Sequence, residues 1–142
     1  TNSRFFHCEF FRLLNDKKGL GKKGDIIGLE VNMRPPGGYT PDMMNFANDI
    51  DVYQIWANMV AYNQGYFDVQ SRPYNCVYAA RRDNHRYVYS KEETLAKYKD
   101  NIVMKERMPD IFSIAMGNDM LTARFCNIEE CFEFINFYLK KY

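Results

Sequence analysis

Residues 28–38 read GLEVNMRPPGG, an alternation of apolar and polar side chains closed off by two prolines and two glycines. Successive side chains of a β-strand point to opposite faces, so residues two apart share a face. Ile27, Leu29, Val31 and Met33 therefore fall on one side, and Gly28, Glu30, Asn32 and Arg34 on the other. Pro35 and Pro36 end the ladder, because neither donates a backbone hydrogen bond. Gly37 and Gly38 leave bare backbone that a ligand can approach closely. A plain solvated strand face alternates in the same way. The order of polar types adds chemistry: Glu and Asn offer hard oxygen ligands of the kind Mg²⁺ accepts, and Arg offers a planar fork for phosphate or carboxylate oxygens.

The segment upstream supplies a partner strand. Residues 4–14, RFFHCEFFRLL, place Phe5, His7, Glu9 and Phe11 on one face and Phe6, Cys8, Phe10 and Arg12 on the other. Residues 15–25, NDKKGLGKKGD, make a turn of glycines and lysines. A hairpin centred near Gly19 and Leu20 sets residues whose numbers sum to about 39 opposite one another, and so puts Glu9 across from Glu30. Opposed carboxylates of this kind have β-carbons roughly 5 Å apart and repel unless a cation lies between them. A divalent metal is the economical cation; a bridging Lys or Arg is the structural alternative. A slip of one residue would turn Glu9 to the other face and dissolve the pair. Lys17, Lys18, Lys22 and Lys23 read as a solvated turn, since GLGKKG lacks the G-x-x-x-x-G-K-[ST] pattern and sits at a hairpin tip rather than before a helix.

The remaining composition narrows the class. With 142 residues, 46% of them apolar, the chain can bury one core, or a core plus a small lobe. A formal net charge of +1 gives no reason to expect nucleic acid or an anionic membrane as partner. No apolar run approaches the roughly 18 residues of a membrane span, and no charged-then-apolar signal opens the chain, so a cytoplasmic location is expected. Cys8, Cys76, Cys126 and Cys131 show no C-x-x-C spacing and read as reduced, packed thiols. Thr1 in place of an initiator Met, with strand-like sequence already at Phe5, suggests a piece of a longer protein.

Further along, Thr40 can cap a helix, Pro41 suits its first position and Asp42 its positive end. A second helical segment, starting at Asp49 or Asp51 and stopped by Gly65, aligns Tyr53, Trp56, Val60 and Asn63 as a core-facing stripe that Met59 joins. Residues 74–89, YNCVYAARRDNHRYVY, predict a hairpin turning at 83–85 with His85 exposed at its tip. Arg81, Arg82 and Arg86 lie near several tyrosines but form no recognisable nucleic-acid motif. SKEE at 90–93 is a capping-box signature for a short helix to about Asp100. NIVMKER (101–107) and IFSIAM (111–116) read as strands, followed by a turn at 117–119 and the strand MLTARFC (120–126). Asn127 with Glu130 caps a last helix whose apolar stripe is Ile128, Cys131, Phe132, Ile135, Tyr138 and Leu139. The fold class expected is α+β, an antiparallel β-sheet packed against helices.

Glu9 in FHCEFF, then a turn, then GLEVNMRPPGG, then a helix rich in Asp and Asn resembles the C-terminal portion of ATP-grasp enzymes, where an acid on one strand precedes an E-x-N-x-R strand. Carboxylate-amine ligases and the biotin-carboxylase or carbamoyl-phosphate-synthetase-like members look nearest. The resemblance is sharpest from Arg4 to about Val60 and looser beyond. It implies the C-terminal subdomain of the ATP-grasp fold, with residues 1–70 as a metal- and phosphate-binding hairpin and following helices, and residues 71–142 as the closing hairpins and helices of the same lobe. By position, it implies Glu9, Glu30 and Asn32 as ligands of Mg²⁺ or Mn²⁺ and Arg34 as the catalytic anion clamp. It also implies Gly37 and Gly38 against a small carboxylate substrate, and His7 as a further substrate or phosphate contact. The implied reaction activates that carboxylate with ATP as an acylphosphate, for attack by an amine or similar nucleophile. The sequence contains no glycine-rich lid loop, no preceding strand lysines and no adenine-binding segment. It is therefore expected to form one wall of an ATP-dependent ligase site and to be inactive alone.

Two other classes compete. A non-catalytic binding or scaffold domain would carry the same acids as a solvated or Arg-paired face. A hydrolase using Glu9 and Glu30 as an acid/base pair would need environments that drive their pKa values apart, and the sequence supplies none.

Overall fold

A computed structural model describes residues 4–65 and 72–142. In chain order the elements are β1 (His7–Arg12), β2 (Ile26–Asn32), α1 (Thr40–Asn48), α2 (Val52–Tyr62), β3 (Asn75–Arg81), α3 (Lys91–Lys97), β4 (Ile102–Arg107), α4 (Asp110–Met116), β5 (Asp119–Phe125) and α5 (Ile128–Tyr138). The protein is α+β, with a two-stranded sheet β1-β2 and a three-stranded sheet ordered β3-β5-β4, every pairing antiparallel. It divides into two compact units, Thr1–Pro41 with Asp51–Phe67 and Asp42–Ile50 with Asp68–Tyr142. The boundary expected between 70 and 71 touches residues outside the described ones. Among the described residues, no helix is long and apolar enough to cross a membrane.

In the first unit, β1 and β2 form the expected hairpin. Its tip closes where the Lys17 N–H donates to Gly21 O at 2.8 Å and the Leu20 N–H to Lys17 O at 3.0 Å. Gly21 leaves room for the Asp25 carboxylate, whose Oδ2 lies 2.7 Å from where a Cβ would stand and accepts from the Lys22 N–H. The ladder pairs His7 with Asn32, Cys8 with Val31 and Glu9 with Glu30, then shifts so that Phe10 meets Gly28 and Leu29 becomes the extra residue of a bulge. One face of this hairpin is apolar and exposed: Phe6, Phe10, Leu29, Val31 and Met33 are each more than half accessible. Asp51 caps α2, accepting from the Gln54 N–H at 2.9 Å. The stripe expected on α2 holds at Met59 and is otherwise rotated away from the buried face. Val52, Ile55 and Met59 are buried, whereas Val60 is 70% exposed and Tyr53 and Trp56 are also exposed. The helix stops at Asn63, which takes the left-handed conformation at φ 55°, rather than at Gly65. Gly65 instead makes room for Met59, whose side chain a Cβ there would overlap.

In the second unit, β5 is the central strand, and Met120, Leu121, Thr122 and Ala123 are all fully buried. Leu121, Ala123 and Phe125 join Val77 and Ala79 of β3 and Cys131, Phe134 and Tyr138 of α5 in one core. Tyr98 sets its ring edge-on to Phe134 at 5.1 Å and to Phe125 at 6.1 Å. The apolar stripe of α5 is thus centred on Cys131, Phe134 and Tyr138, leaving Ile128 and Phe132 exposed.

Two expected elements differ. Residues 74–89 do not close on themselves: β3 pairs with β5, Ala79 opposite Leu121, because alternate residues Val77 and Ala79 need an apolar partner strand. Tyr87 and Tyr89 serve other ends. Arg81, buried, stacks its guanidinium 4.5 Å from the Tyr87 ring and 4.2 Å from the Tyr138 ring and donates to the carbonyls of Tyr138 and Tyr89. Residues 111–116 are not a strand but lie in α4. Pro109 and Asp110 start that helix, and Arg82 donates to its last carbonyls, Ser113 O at 3.1 Å and Ile114 O at 2.8 Å. Arg81 and Arg82 thereby work inside the fold.

Candidate metal centre

The centre grows from the register. Two extended strands paired with Glu9 opposite Glu30 and His7 opposite Asn32 put all four side chains on one face, since residues two apart alternate to the same side. One ligand atom each from His7, Glu9 and Glu30 lies within 4.8 Å of the others. His7 Nε2 is 3.5 Å from Glu9 Oε1 and 3.7 Å from Glu30 Oε1. The side chains differ in freedom: His7 is 14% exposed, Glu9 51% and Glu30 47%. A fixed imidazole therefore stands between two carboxylates that can still rotate.

Hydrogen bonding sets the ring's protonation pattern. His7 Nδ1 lies 3.2 Å from the backbone carbonyl of Arg34, which can only accept, so Nδ1 carries the proton and donates. Nε2 then presents a lone pair, to which Asn32 Nδ2 donates at 3.2 Å while also donating to Glu30 Oε1 at 2.5 Å. A half-turn of the Asn32 amide exchanges nitrogen for oxygen and would turn an acceptor toward the same point. Metal-binding histidines commonly donate their second ring N–H to a carbonyl in this manner.

The donor set fits a divalent ion. Octahedral ligands at about 2.1 Å from Mg²⁺ lie roughly 3 Å apart when adjacent and about 4 Å apart when opposite; the His7–Glu9 and His7–Glu30 separations of 3.5 and 3.7 Å fall in that range, while the set as a whole lies within 4.8 Å. Small rotations of the two exposed carboxylates close the remainder.

The other expected residues are placed differently. Arg34 is exposed and its Nη1 donates to Pro35 O at 3.0 Å, so its guanidinium is folded back onto its own backbone. Gly37 opens onto free space, and Gly38 takes a left-handed φ of 61°, which a side chain would strain. Sequence reasoning gave His7 a substrate or phosphate contact. The structure places its ring beside Glu9 and Glu30, on the face that its shared phase with Glu9 marks in the sequence.

Comparison with family models, with curated proteins and with solved structures returned no match.

Proposed function

We propose that this chain supplies the metal-bearing wall of an ATP-dependent ligase of the ATP-grasp kind, which activates a small carboxylate as an acylphosphate for attack by an amine or similar nucleophile. The observation that carries the reading is the direct opposition of Glu9 and Glu30 with His7 and Asn32 on the same face. A divalent cation, Mg²⁺ or Mn²⁺, supplies charge neutralisation of phosphate oxygens during phosphoryl transfer. Glu9, Glu30 and Asn32 hold it. Arg34, released from Pro35 O, swings its planar fork to the transferring phosphate. Gly37 and Gly38 let the carboxylate substrate approach the backbone. The bare apolar face of the hairpin suits a larger protein whose other segments cover it and provide the lid and adenine site.

Tripolyphosphate, a probe of the phosphate site alone, tests the role of Arg34. In the presence of Mn²⁺, Arg34→Ala is expected to weaken its binding about tenfold, as loss of a charge-assisted fork should. Equal binding removes Arg34 from the site. ATP hydrolysis by the 142-residue chain that vanishes in Glu30→Gln would contradict the view that it is only one wall.

A second reading has its own observation. Asn32 Nδ2 already donates to Glu30 Oε1 and to His7 Nε2 without an ion, and both glutamates are about half exposed, which is how a non-catalytic binding or scaffold domain with a solvated acidic face would look. That reading predicts no metal affinity dependent on the glutamates.

A further inference from the structure

We propose that His7 is itself a ligand, coordinating through Nε2, and that this nitrogen biases the centre toward first-row transition ions over Mg²⁺. The inference rests on the metal reading of the hairpin and adds the identity of the preferred ion.

Three observations carry it. The Arg34 carbonyl fixes the proton on Nδ1, leaving Nε2 an acceptor that takes the Asn32 Nδ2 hydrogen bond at 3.2 Å, lies 3.5 and 3.7 Å from Glu9 and Glu30, and is released to an ion when the Asn32 amide turns. The ring is the least exposed of the three groups, so its nitrogen is the most firmly placed and the carboxylates adjust to it. The β1–β2 register sets His7 opposite Asn32, and Asn32 already hydrogen-bonds both His7 Nε2 and Glu30, so all four groups converge. Imidazole nitrogen is a poor donor to Mg²⁺, which takes oxygen, and a good one to first-row transition ions. A site of carboxylates and an amide alone would lack that bias.

The arrangement also ties ligand to clamp. The same residue that orients the His7 ring through its carbonyl carries the guanidinium assigned to phosphate. Movement of the strand end at Arg34 therefore changes the hydrogen bond that aims the ligand.

The test uses the chain with Mn²⁺ as the paramagnetic probe. Pulsed electron paramagnetic resonance on wild-type protein should show ¹⁴N modulation from a directly bound nitrogen, changing to the ¹⁵N pattern when histidine is ¹⁵N-labelled. His7→Gln should abolish it, while His85→Gln should not. The ratio of Mn²⁺ to Mg²⁺ affinity should fall about tenfold in His7→Gln with Mg²⁺ binding nearly unchanged. Mn²⁺ binding that depends on Glu9 and Glu30 but shows no nitrogen coupling overturns this inference and leaves the metal reading standing. No Mn²⁺ binding by wild-type protein overturns both. The labelling experiment needs no variant, so a misfolded His7→Gln cannot obscure the answer.

Discussion

At the scale of single residues, burial does its work on side chains that carry no charge at neutral pH. The Cys76 thiol is pushed up from 9.0 to about 11, first by burial and then by the neighbouring Cys131. Burial raises the Cys131 thiol and the Tyr138 hydroxyl in the same direction. An acid whose folded pKa is raised keeps its proton longer in the folded state. Its contribution to stability is whole below pH 9, declines as the pH passes the unfolded value and is gone above about 11. Thermal unfolding followed from pH 8 to 11 should therefore show a falling midpoint, and Cys76→Ala should flatten part of the fall. Identical slopes in the two proteins would contradict the assignment. The sequence reading of packed thiols suits Cys76 and Cys131 but not Cys8 and Cys126, which are exposed. An apolar neighbourhood in the text does not say which side of a strand or helix end a thiol occupies.

Elements were most legible where their ends are written in local chemistry. Ser90 and Glu93 form both halves of a capping box, with the Glu93 N–H donating to Ser90 Oγ at 3.0 Å and the Ser90 N–H to Glu93 Oε2 at 2.7 Å. Asn127 likewise accepts from the Glu130 N–H at 2.9 Å. Ser90→Ala should destabilise the protein by about 1 kcal/mol in denaturant titrations, the typical cost of a lost cap. A change below a few tenths would mean that α3 is held by packing alone. Less legible were the elements whose identity depends on distant partners. IFSIAM is short and apolar, and such runs do not distinguish strand from helix. The outcome is decided by Asp110 at its start and by Arg82, far away in sequence, at its last carbonyls. The second arm of the residue 74–89 hairpin failed for a similar reason, because β3 found its partner in β5. By contrast, the hairpin carrying the candidate centre is local, and its turn chemistry brings the strands to within one residue of the Glu9–Glu30 register. The bulge at Leu29 left no mark in the alternation, yet it makes the pair: the register nearer the turn, Phe10 with Gly28, would continue as Glu9 with Leu29, and the extra residue brings Glu30 opposite Glu9 instead.

For the whole molecule, stability should be unevenly distributed. Strand β5 is hydrogen-bonded on both edges and buried on both faces, whereas among the described residues β1 and β2 pair only with each other and have an exposed apolar side. Native-state hydrogen exchange should find the amides of β5 among the slowest and those of β1 and β2 orders of magnitude faster. Equal protection would show that the hairpin draws stability from a source other than its own pairing. A candidate centre on such a hairpin gains rigidity when a cation joins its two strands, since binding to the folded form alone stabilises it. The most direct test of the central claim is the Mn²⁺ affinity of the wild-type chain, Glu9→Gln and Glu30→Gln, read from the free Mn²⁺ resonance signal. Weak binding is expected in the wild type, falling at least tenfold in each variant, because each removes one charged ligand from a shared ion. Binding that is unchanged in both variants would contradict it and leave the acids as a surface face.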